Sequence, residues 1–221
     1  MNYFKNINKK VYLYQSIITI LAVILCEFGI GCFYTARIGT DPISIFVEGV
    51  SFHCSLTVGQ ISTICNAILC VLMFIFERKQ FGFGTLIQVL IGGPLIDLFY
   101  GILFKYFNPD VTTLLTKIII LSIGLVIYSI GLGITILCDV GVGPFSFPTI
   151  FLNDYTPLNM KYSQIISDAT FFIIGLLLGG IYGIGSIVTV FLCGPIMDYT
   201  IKLVKPKIDS LGSLYINNKE N

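Results

Sequence analysis

Apolar residues run in long unbroken stretches along this chain, and polar residues gather in short bands between them. Six stretches are long enough to span a bilayer, at about residues 12–36, 58–76, 82–104, 117–138, 160–180 and 182–203, because a crossing needs roughly 20 mostly apolar residues. Charge, or Gly, Pro and Asn, bounds each of them. Two further apolar pieces, 42–53 and 144–153, are too short to cross. The pattern predicts an all-α polytopic membrane bundle of six spans with two short extra helices, each amphipathic at the surface or re-entrant.

The pattern also repeats. Gly82 to Asp97 reads GFGTLIQVLIGGPLID and Gly183 to Asp198 reads GIGSIVTVFLCGPIMD, with six of sixteen positions identical at an offset of 101. Gly29 and Gly31 match Gly131 and Gly133, Gly39, Pro42 and Ser44 match Gly141, Pro144 and Ser146, and Gln60 matches Gln164, all in the same order at offsets of 102 to 104. The chain therefore divides into a segment 1–11, a three-span repeat 12–106, a loop 107–116, a second three-span repeat 117–204 and a polar tail 205–221. Three is odd, so the second copy enters from the opposite face. That is the inverted-topology duplication many secondary transporters use.

Composition agrees with a membrane protein. Of 221 residues 55% are hydrophobic and only 11% charged, with a mean hydropathy of +0.90, against about 25% charged in ordinary soluble domains. Lys and Arg divide unevenly between the connections, ten on one side (Lys5, Lys9, Lys10, Arg78, Lys79, Lys161, Lys202, Lys205, Lys207, Lys219) and three on the other (Arg37, Lys105, Lys117). Both termini are therefore expected to be cytoplasmic. The lysines before the first span resemble a signal peptide, but that apolar run is too long for one and no small-residue cleavage site closes it. A net charge of +1 offers no footprint for nucleic acid.

The segment Gly39-Thr40-Asp41-Pro42-Ile43-Ser44, together with the duplicated layout, resembles the YczE/YyaS/YitT family of bacterial integral membrane proteins over roughly residues 12–204. The resemblance implies a multi-span inner-membrane protein and no particular substrate. Ile43 and Phe145 stand where many relatives carry an aromatic residue, often Trp, and this chain has no Trp.

The repeated stretch holds the candidate chemistry. Gly93-Pro94 and Gly194-Pro195 fall near the centres of their spans, where proline removes a backbone donor and crowds the carbonyl four residues back. A kink or break there exposes carbonyls to a neighbour, water or an ion. Asp97 and Asp198 follow within a turn, and acids at membrane depth usually face a wet cavity. Gly93, Pro94, Asp97, Gly194, Pro195 and Asp198 therefore form the expected substrate pathway. A pure packing role is the alternative for the Gly-Pro pairs, and Lys202 is spaced to pair with Asp198. Glu27, Gln60, Gln164 and Asp168 are candidate coupling or polar-pathway residues, or interhelical glue. Asp41 and Gly143 are placed to cap short helices that begin at Pro42 and Pro144, and Glu48 points away from the apolar face of the first.

Seven cysteines without a CxxC pair and a single histidine, His53, predict no metal site. There is no phosphate-cradling loop or nucleophile motif, so an enzyme is not expected, nor a cofactor. The expected partners are the lipid bilayer, a small solute or ion, and a second copy of the chain. Two functions compete: a secondary transporter working by alternating access, and a non-transporting scaffold or accessory subunit.

Overall fold

The structure is a computed structural model that describes residues 9–108 and 113–217. Among the described residues are eight α-helices, one 3-10 turn and no strand: α1 (Lys9–Ala36), α2 (Pro42–Ser51), α3 (Val58–Phe76), α4 (Phe83–Tyr106), α5 (Leu114–Cys138), the 3-10 turn Pro144–Ser146, α6 (Phe147–Tyr155), α7 (Met160–Leu177) and α8 (Ile184–Asn217). Five of them, α1, α3, α4, α5 and α8, are long and apolar enough to cross a membrane. The fifth expected span corresponds to α7, which is less apolar because Lys161, Gln164 and Asp168 interrupt it.

Local chemistry explains the boundaries. Asp41 caps α2, accepting a hydrogen bond from Ser44 N at 3.2 Å, and Pro42 occupies the first turn. It needs no amide hydrogen there. Thr57 and Gln60 form a reciprocal capping box at the start of α3. Asn159 caps α7 through Tyr162 N at 3.1 Å. The second short helix begins differently, as a 3-10 turn behind Gly143, which has no side chain to cap it.

A kink or a break is expected at each Gly-Pro pair, and no break interrupts either helix. α4 runs unbroken through Pro94 and α8 through Pro195 and Pro206. One proline removes one donor, and the rest of each ladder persists. α8 continues past 205 into the polar tail, as far as Asn217. Residues 1–8, 109–112 and 218–221 lie outside the described residues, so the N-terminal segment, the inter-repeat loop and the tail are described only in part.

α1 is the central helix. It packs most extensively on α5 and then on α4, while α5 also packs on α8, α3 on α4, and α2 on α7. Cys32, Phe33 and Ala36 of α1 form the buried core with Ile120, Leu121 and Leu125 of α5. All seven cysteines are free.

Two turns tie the halves together in the same way. Arg37 and Asp139, at φ 49° and 48°, leave α1 and α5 in the left-handed region, and Gly39 and Gly141 follow at φ 100° and 115°. Glycine adopts that region without steric cost. After α1, Gly185 N donates to Ile38 O at 2.8 Å; after α5, Gly84 N donates to Val140 O at 2.8 Å. Thus the end of α1 holds the start of α8, and the end of α5 holds the start of α4.

Candidate functional site

A cavity of about 330 Å³ opens where the last turn of α1, the end of α2, the start of α3 and the last third of α4 meet, and Tyr34, Arg37, Glu48, Thr57, Asp97 and Tyr100 are among its walls. Its size lies at the lower end of the range for small-molecule sites. Tyr34 donates to Ser44 O at 3.2 Å and sets its ring edge-on to Tyr100 with centroids 6.1 Å apart. Arg37 takes its position from the left-handed turn after α1.

Asp97 faces the N-terminus of α3. Its Oδ2 accepts from Thr57 Oγ1 at 2.5 Å and its Oδ1 from Gly59 N at 2.9 Å. A carboxylate at a helix start is favoured by the free amides and the helix dipole. Glu48 is 6% exposed and accepts from Ile181 N, in the turn before α8, at 2.9 Å. Burial pushes its carboxyl above the usual range, opposed by that amide and by the Arg37 guanidinium. Glu48, expected off the apolar face of α2, is nonetheless enclosed. α2 lies against α7 rather than free on a surface, so its polar residue is enclosed too.

The remaining candidates do not converge on this cavity. Gly93 is buried where α4 crosses α3, so close to Gly59 O and Thr63 Oγ1 that a methyl group would overlap both. Pro94 faces outward beside it. Gly194 has open space where a Cβ would stand, and Pro195 and Asp198 are exposed. Gln60 is occupied by the α3 cap. Gln164 donates to Asp168 Oδ1 at 2.8 Å within α7. Glu27 is fully buried and accepts from Gln88 Nε2 on α4 at 2.5 Å, while its other oxygen has no hydrogen-bond partner.

Sequence reasoning missed the cavity role of Tyr34, Thr57 and Tyr100 and the Gln88 partner of Glu27. Gln88 carried a signal, as a second polar residue inside an apolar span. The tyrosines carried none, since Tyr is frequent at membrane interfaces. No group of three or more His, Cys, Asp or Glu residues among those described forms a metal site.

The model of a family of unknown function, DUF6198, matches residues 13–202. Two relatives come from Bacillus subtilis (strain 168). The uncharacterised membrane protein YczE is 27% identical over 180 residues, 81% of each chain. The uncharacterised protein YyaS is 27% identical over 196 residues, 88% of this chain and 94% of its own. An uncharacterised protein of Haemophilus influenzae (strain ATCC 51907 / DSM 11121 / KW20 / Rd) is 23% identical over 189 residues, 85% of this chain and 83% of its own. No solved structure matches the chain.

Proposed function

The chain belongs to the family of unknown function DUF6198, and within it we propose a secondary transporter or permease that admits a small cationic solute through the cavity at Asp97. The observation that carries this reading is the cavity itself, a largely apolar, partly open space of about 330 Å³ in a membrane protein, into which two carboxylates, Glu48 and Asp97, and one guanidinium, Arg37, converge. That balance favours a cation.

The architecture we propose is six spans in two inverted halves. α7 has 18 residues, about 27 Å as a helix, close to the hydrocarbon thickness of about 30 Å. A parity argument supports its crossing. Gly185 N bonds Ile38 O, so the start of α8 lies on the face where α1 ends. If α3, α4 and α5 each cross, α7 must cross as well to bring the chain back. The matching bond from Gly84 N to Val140 O ties α4 to α5 at the other face. Like features at opposite faces are what inverted halves produce. The Lys and Arg asymmetry supports an orientation with both termini in the cytoplasm and the cavity outward.

One observation favours a non-transporting scaffold instead: Asp97 is already occupied as a second cap on α3. The deciding experiment is a thermal-shift screen of the purified protein against small organic amines, quaternary ammonium compounds and amino acids, followed by uptake into proteoliposomes. A ligand at a hundred times its Kd stabilises by about 2.7 kcal/mol. Stabilisation by a cation that Asp97→Asn removes, with uptake, supports transport. A full screen with no shift and no uptake leaves the scaffold reading.

A further inference from the structure

Two stretches that share their sequence have different surroundings. In the first half α3 lies along α4: Gly93 is seated against Gly59 and Thr63, and Asp97 accepts from Thr57 and Gly59. The register that pairs Gln60 with Gln164 pairs Thr57, Gly59 and Thr63 with Lys161, Ser163 and Ser167, and Gly93 and Asp97 correspond to Gly194 and Asp198. Every member of the second set is small or complementary in charge. None of them is engaged in the same way.

Instead α7 packs on α2 and α6 and does not run along α8. A Cβ on Gly194 would meet no atom within 4 Å, while Lys161 and Asp198 are both exposed. Ser163 is 0% exposed, yet its hydroxyl has no hydrogen-bond partner. A buried hydroxyl left unpaired is unfavourable, so the present seat of α7 is not optimal for it. The other side of that seat is close, since a methyl group on Gly175 would come within 2.7 Å of Phe46 N.

We propose that α7 has a second seat, along α8, with Ser163 and Ser167 against Gly194 and Lys161 beside Asp198. The structure then holds the first half with its helices together and the second with them apart, and the opposite-facing state is reached when α7 leaves α2 for α8. A two-state element of this kind is what alternating access requires. The inference rests on the inverted-repeat reading of the architecture, and its test needs no solute.

In a cysteine-free chain, Ser163→Cys and Gly194→Cys are introduced together and the protein is oxidised in native membranes. Ser163→Cys is nearly isosteric, and Gly194→Cys points into open space. The expected result is a disulfide between residues 163 and 194 in the monomer band, identified by mass spectrometry of the joined peptides. No disulfide, or one found only in a dimer band, overturns the proposal. Should the pair fail to fold, spin labels at Tyr162→Cys and Tyr199→Cys, both exposed positions, provide a second measurement. Two distance populations are expected, and a single one overturns the second seat. Solute uptake without the link would discard the exchange and keep the transport reading. The link without uptake of any tested solute would keep the exchange and discard transport.

Discussion

Gln88 donates a 2.5 Å hydrogen bond to Glu27 across the α1–α4 interface, in a place where Glu27 has no exposed surface and Gly92 leaves it room. Gln88 supplies its one hydrogen bond, and ionisable groups at such depth are costly and commonly act as relays.

A neutral isostere separates the coupling role from simple glue. Glu27→Gln is expected to keep the melting temperature of the purified protein within a few degrees of the parent. In proteoliposomes the same variant is expected to lose dependence of solute uptake on a pH gradient. Uptake that still follows the gradient would reduce Glu27 to an interhelical contact. Gln88→Leu strands the carboxyl and is expected to destabilise by about 1–3 kcal/mol.

Gly93 and Gly194 occupy matching positions in sequence and opposite ones in packing. Gly93→Ala places a methyl group on Gly59 and Thr63, and overpacking costs about 1–3 kcal/mol. Gly194→Ala meets nothing and, in the interior of α8, is expected to stabilise by up to about 1 kcal/mol. Thermal unfolding in one detergent compares the two directly. Equal effects would mean that α8 is packed as closely as α4.

Glu48 makes stability depend on pH. Burial raises its carboxyl from the ordinary 4.5, so the folded protein favours the protonated form more than the unfolded chain does. Its contribution is fully present below pH 4.5 and is lost as pH rises through the raised folded value. Asp41 is raised as well, by burial, so the parent's slope alone does not isolate Glu48. The difference between parent and Glu48→Gln does, because Gln can still accept from Ile181 N. Melting temperatures from pH 4 to 7 are expected to fall more steeply for the parent, and parallel curves would remove Glu48 as the source.

Much of the fold was legible because membrane helices declare themselves by length and composition. The α3 boundaries at 58 and 76 coincide with the apolar stretch, and Asp41-Pro42 carries its own cap and first turn. Pairings between distant segments were not legible. Glu48 is enclosed because Ile181, 133 residues away, brings its amide to it, and no local pattern records that. Likewise, identical Gly-Pro pairs gave no sign that one would be seated and the other open. Their neighbours α3 and α7 differ, and α7 lies on α2. The prolines leave their helices continuous for a simpler reason: a long apolar helix with one missing donor remains a helix.

The count of crossings is open to direct chemical test. Cys54 is exposed just after α2 and serves as the sole cysteine in one chain. Tyr155→Cys, at the end of α6, and Tyr182→Cys, before α8, are exposed positions that serve in two others. Labelling with a membrane-impermeant thiol reagent is expected to reach Cys54 and residue 182 from outside, and residue 155 only after the membrane is opened. If α7 does not cross, residues 155 and 182 share a face. That would contradict the parity imposed by the hydrogen bond from Gly185 to Ile38 unless α3, α4 or α5 also fails to span. α3 would then be the first to examine, since at 19 residues it is the shortest of the five apolar helices. Opposite faces for 54 and 155, with 182 on the side of 54, are the result that six crossings in two inverted halves require, and any other pattern excludes that arrangement.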